Sequence, residues 1–176
     1  MKDNSGDALR VAIAGAVAMG CAMGIGRFVY TPILPFMIEA LSLSAHQAGI
    51  IASANFLGYL LGAMAVSLRL PGTPRQWLLG ALLVSAATTA GVGLVSDETA
   101  IALIRLLGGV ASAFTLVLAS SLVLETLARA NRRGLLGVHF AGVGIGIGAC
   151  ALVVLAATKL GIGWRGMWFV HGAITL

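Results

Sequence analysis

Two arginines, Arg27 and Arg105, stand inside long apolar runs of the sequence, well away from its other formal charges. A cation in such a run is costly to bury, so it faces a cavity, a partner or an interface and merits a functional reading. Its chemistry is electrostatic. It can hold a carboxylate or other anionic solute, or tune the proton affinity of an acid nearby. Tyr30 and Thr31 follow Arg27 by three and four residues, which puts them on its helix face. Asn55 is a lone amide in a second apolar run, able to contact a solute or to join two helices. These five residues form the candidate substrate pathway. None of the six acids lies inside an apolar run: Asp3 and Asp7 are terminal, and Glu39, Asp97, Glu98 and Glu125 flank the runs. The balancing anion therefore comes from a solute, from helices outside this chain, or from Glu39 or Asp97 folding inward. The competing reading is that both arginines snorkel to an interface.

The other reactive residues give less. His139 and His171 could carry protons, although a hydrogen-bonded structural role suits each better, and His46 sits at a helix start. A six-helix intramembrane serine protease of the rhomboid type would need Ser112 beside His171. Their expected depths, about 20 Å and about 8 Å from the same face, are too different for a nucleophile–base pair, and the Gly-x-Ser-Gly pattern is missing. No enzyme is expected. Cys21 and Cys150 lie inside apolar runs and act as small apolar fillers, so no metal or cofactor is expected either. Glycine pairs four apart, Gly20 with Gly24, Gly58 with Gly62 and Gly144 with Gly148, give the close-approach pattern of membrane helices. The run Gly142, Gly144, Gly146, Gly148 lacks the third glycine of a dinucleotide loop. It reads as a packing face, or as a pliable helix that bends or slides during gating.

The elements that position these residues follow from composition. Of 176 residues, 59% are hydrophobic and only 10% charged, against about 25% charged in soluble domains. The mean hydropathy of +1.01 leaves too few polar residues to cover a soluble core. The chain therefore reads as all-α, a polytopic transmembrane bundle in a lipid bilayer. Its apolar segments span 11–38, 47–68, 76–95, 99–124, 134–158 and 166–176, with 1–10 as a terminal tail. The sixth rises only about 16 Å of a core about 30 Å thick, so the sequence reads as ending inside its sixth helix, with a C-terminal bundle missing. The net charge of +5 does not mark a nucleic-acid binder, because the basic residues sit in short gaps between apolar runs. Lys2, Arg10, Arg69, Arg75, Arg129, Arg132 and Arg133 fall on one side, and Lys159 and Arg165 on the other. That bias predicts a cytoplasmic N-terminus in the cell (inner) membrane. Counting from the run starts then places Arg27 about 24 Å from the inner boundary and Arg105 about 9 Å from the outer one, at one level in the outer third.

The stretch Gly24-Ile-Gly-Arg27-Phe-Val-Tyr30-Thr31-Pro32-Ile-Leu-Pro35 resembles the first helix of the YbfB/YjiJ-type branch of the major facilitator superfamily. Residues 54–62 resemble its second helix and 140–146 its fifth. The resemblance implies the N-terminal half of a twelve-helix secondary active transporter, which moves a small solute by alternating access between two six-helix halves. Leu103-Ile-Arg105-Leu-Leu-Gly-Gly109 is similar to the superfamily's fourth-helix motif, whose arginine implies proton coupling and substrate handling. The loop after the second helix lacks the acid usual in its motif. Glu125 is then expected to pair with Arg69 or Arg75 as a cytoplasmic latch. The implied partners are a small, anionic solute, protons and the second half. The alternative is a non-transporting six-helix membrane subunit or scaffold.

Overall fold

The computed structural model describes residues 4–68 and 71–176. It is helical throughout, with no strand among the described residues. The helices are α1 (Asn4–Met19), α2 (Tyr30–Leu41), α3 (Ala45–Val66), α4 (Pro74–Val92), α5 (Glu98–Arg129), α6 (Leu136–Lys159) and α7 (Trp164–Ile174). A π-helical segment, Gly20–Arg27, joins α1 to α2, so that these three make the first crossing. Gly6–Leu41, α3, α5 and 133–159 are long and apolar enough to cross a membrane. α4 and α7 complete the six expected elements as 19- and 11-residue helices.

The connections are short and locally determined. Ser44 and Gln47 form a capping box that starts α3, and Thr73 and Gln76 form another that starts α4, where Pro74 takes the first turn. Asp97 caps α5 by accepting from the Ala100 N–H at 2.9 Å. Ser42 closes α2 in the left-handed region with φ 53°. At that end of the bundle Gln47 donates to Glu98 at 2.7 Å, fixing the start of α3 to the start of α5.

α3 packs along α5, α4 packs on α5 and α7, and the first crossing lies against α6 and α5. Glycines set two of these contacts. A Cβ on Gly62 would lie 2.7 Å from the Val110 carbonyl oxygen of α5, and one on Gly58 would overlap the Leu106 carbonyl. A Cβ on Gly24 would lie 2.6 Å from the Gly146 Cα, and Gly142 rests on the backbone of Ala16. The α6 pair that packs is therefore Gly142 with Gly146. Gly144 and Gly148, expected from spacing to be a close-approach pair, have nothing within 4 Å and point away from the bundle. The pairs Gly142 with Gly146 and Gly144 with Gly148 point in different directions, and the first crossing meets only one of them. The main core gathers Ile25, Val29, Ile33, Met37, Val154 and Trp168 near one end, and Ala8, Ala12, Val123 and Leu127 form a smaller cluster near the other.

Candidate substrate site around two arginines

The site begins with a break in the first crossing. Gly20, Gly24 and Gly26 weaken the α-helix, the backbone widens into the π segment, and Pro32 supplies no N–H to the turn below it. The Thr31 N–H bonds Phe28 at 3.2 Å and the Val29 N–H bonds Ile25 at 2.9 Å. The carbonyls of Gly26 and Arg27 take the guanidinium of Arg105 instead. Its Nη1 donates to Gly26 at 2.9 Å and its Nη2 to Arg27 at 2.8 Å. Arg105 is 4% exposed, with its guanidinium carbon 5.4 Å from the Tyr30 ring centroid and 5.7 Å from that of Trp168. Two charge-assisted bonds and two rings thus hold a cation that no acid among the described residues pairs with.

Asn55 and Tyr30 are fixed by the same junction. Asn55, 2% exposed, donates through Nδ2 to the main-chain carbonyl of Arg105 at 2.8 Å, so α3 holds the helix that carries the arginine. The buried Tyr30 hydroxyl donates to the Ala48 carbonyl at 3.0 Å, tying α2 to α3. Arg27 is half-buried, and its guanidinium carbon stands 4.0 Å from the Tyr59 ring centroid, 5.0 Å from Phe56 and 5.8 Å from Phe28. Its buried Nε has no hydrogen-bond partner among the described residues.

Arg27, Tyr30, Asn55 and Arg105 are brought together, and the two arginines share one level, with one guanidinium on the other's carbonyl. Thr31 departs from this group. It is exposed while Tyr30 is buried, and it lines a cleft with Phe28, Pro32, Ile147, Cys150 and Ala151. The π segment and the turn at residues 28–29 change the helical phase, so the i+3, i+4 rule does not carry across them. Neither Glu39 nor Asp97 folds inward: both are exposed, and Asp97 serves as a helix cap. Trp168 and the ring set Phe28, Phe56 and Tyr59 did not emerge from the sequence. The i, i+3 spacing of Phe56 and Tyr59 was the available signal.

The remaining candidates lie elsewhere. Glu125 pairs with Arg129 of its own helix, because α5 continues through the expected gap and puts the two at i, i+4. Arg75 is exposed and makes no ion pair among the described residues. Arg69, like Lys2, lies outside them. His139 is fully buried between α1 and α5, with Nε2 3.1 Å from the Ser120 hydroxyl. His171 lies 2.7 Å from the Met167 carbonyl through Nδ1 and 3.3 Å from that of Cys150 through Nε2. Ser112 donates to Gly109 at 2.8 Å, so it and His171 engage separate backbone groups.

Apolar helices of spanning length around a buried, carbonyl-bound arginine define a multi-pass membrane protein with a polar junction among its helices. The family model for the uncharacterised MFS-type transporter YbfB matches residues 19–176, and the chain belongs to that family of major facilitator superfamily transporters. No curated protein and no solved structure matches it.

Proposed function

We propose that this bundle is the N-terminal half of a secondary active transporter that moves a small anionic solute in exchange for, or together with, protons. The observation that carries this reading is the junction of Arg105 with the broken first crossing. A buried cation there holds two carbonyls, while a second cation beside it is stacked on rings with its Nε unbonded. A helix broken at membrane depth is tolerated where protein or a cavity covers it, and transporters place substrate sites at such breaks. Arg27 faces this half's share of the pathway, the buried Tyr30, Asn55 and Arg105 build the wall behind it, and Thr31 faces the neighbouring cleft. A second six-helix bundle closes the pathway from the other side, and the two rock about it. The glycine contacts of Gly142 and Gly146 with the first crossing allow small sliding movements at little side-chain cost.

Full-length protein reconstituted in proteoliposomes with an internal pH dye tests this. A panel of organic anions should include at least one that drives a solute-dependent pH change, and that signal should vanish in Arg105→Gln. Correctly inserted protein that moves neither protons nor labelled anions would reject the reading in favour of a membrane subunit.

A further inference from the structure

We propose that Arg27, and not Arg105, binds the solute, and that the solute is a monocarboxylate with a flat apolar body. The inference rests on the transport reading above for the claim that the bound molecule is carried across the membrane. Arg105 has little left to offer a ligand. Both of its terminal nitrogens are on backbone carbonyls, it is 4% exposed, and its Nε is enclosed without a partner among the described residues. It is a positioning residue that fixes the carbonyl of Arg27 and so the direction in which Arg27 leaves the chain.

Arg27 is in the opposite condition. Among the described residues it makes no ion pair, and no side chain or carbonyl takes a hydrogen bond from its guanidinium. Rings approach it from α3 and from its own crossing: Tyr59 at 4.0 Å, Phe56 at 5.0 Å and Phe28 at 5.8 Å. A guanidinium whose faces lie on rings has its donor edge left for a ligand. That edge is a planar fork matched to the two oxygens of a carboxylate. The rings also limit the charge that can be accommodated. A doubly charged, strongly hydrated oxyanion would surrender more hydration than one available cation returns.

The apolar body has a place as well. Phe28 belongs both to the ring set around Arg27 and to the wall of a cleft between the first crossing and α6. That cleft measures about 310 Å³ and is lined by Phe28, Thr31, Pro32, Ile147, Cys150 and Ala151, a volume at the small end of ligand sites. The Thr31 hydroxyl is its one strong hydrogen-bonding side-chain group. An aromatic carboxylate can set its charged end on Arg27 and its ring against Phe28.

The test uses purified full-length protein and three probes, benzoate, acetate and inorganic phosphate, followed by the shift of the thermal unfolding midpoint and by direct titration. Benzoate should raise the midpoint saturably, acetate weakly, and phosphate not at all. Arg27→Gln should weaken benzoate binding by about tenfold or more, as expected for loss of a charge-assisted pair, and Arg27→Lys should recover part of it. Equal binding of benzoate to wild type and Arg27→Gln, or of phosphate and benzoate to wild type, overturns the proposal. Should Arg27→Gln fail to fold, Phe28→Leu and Phe56→Leu serve instead: the preference for benzoate over acetate should fall several-fold, and an unchanged preference overturns it. Labelled uptake separates the two readings. Arg27-dependent benzoate binding without uptake upholds the site and rejects transport; uptake of other solutes without benzoate binding rejects the site alone.

Discussion

Arg105 donates to two carbonyls on a chain segment 78 and 79 residues away, and this sets what its replacement does. A hydrogen bond to a charged group contributes about 1.5–3 kcal/mol, and Arg105→Gln loses the charge from both while leaving two carbonyls short of a donor. Lysine keeps the charge but brings one compact ammonium that cannot span both acceptors as a planar fork does. Thermal unfolding in detergent should therefore rank wild type above Arg105→Lys above Arg105→Gln, with transport partly retained in the first variant and lost in the second. Equal stability of all three would mean that the two carbonyls do not depend on the guanidinium. That the arginines share a level was legible in the sequence, because rise per residue converts position directly into depth. The rings around them were not legible. Whether Phe56 and Tyr59 of α3 face Arg27 or lipid depends on the rotation of one helix against another, and the weak apolar asymmetry of a membrane helix leaves that rotation unspecified.

At the scale of the helix, α6 carries two glycine faces with different duties. A Cβ on Gly146 would meet the Cα atoms of Gly20 and Gly24 at 2.8 and 2.9 Å, backbone that cannot step aside. Gly146→Val should force α6 away from the first crossing and cost at least the ~1–3 kcal/mol of an overpacked core. Gly144→Val meets nothing within 4 Å, so the stability of this bundle should hold or rise slightly, since valine is the better helix former. Unfolding midpoints of the two variants, compared side by side, decide the matter; equal losses would contradict the packing described. The sequence marked the correct helix through its glycine run and missed which alternate pair is used. It also missed the π segment. Gly20, Gly24 and Gly26 signalled weakness there, but three glycines equally fit an ordinary close-packed helix. The consequence was local: Thr31 parted from Tyr30 because the α-helical phase does not survive the break.

Over the whole molecule, charge is sorted by end. Arg10, Arg75, Arg129, Arg132 and Arg133 outnumber Asp7 and Glu125 at the end where α1 begins and α4 and α6 start, whereas Glu39, Asp97 and Glu98 outnumber Lys159 and Arg165 at the other. Cytoplasmic loops of membrane proteins carry the excess of Lys and Arg, so the first end should face the cytoplasm. The charge count alone could not show that the chain alternates; the register of the contacts supports it, since α3 runs parallel to α5 (Gly58 on Leu106, Gly62 on Val110) and the first crossing parallel to α6 (Ala16 at Gly142, Gly24 at Gly146). A direct measurement uses single cysteines in a background where Cys21 and Cys150 are alanine. Arg132→Cys and Leu160→Cys both fall at exposed positions between helices, at opposite ends. In intact cells a membrane-impermeant maleimide should label Leu160→Cys and spare Arg132→Cys until the membrane is opened. The reverse pattern would invert the protein and put the level shared by Arg27 and Arg105 in the cytoplasmic third of the bilayer. Arg27, the half-buried member of the pair, would then be reached by solute from the cytoplasmic side first.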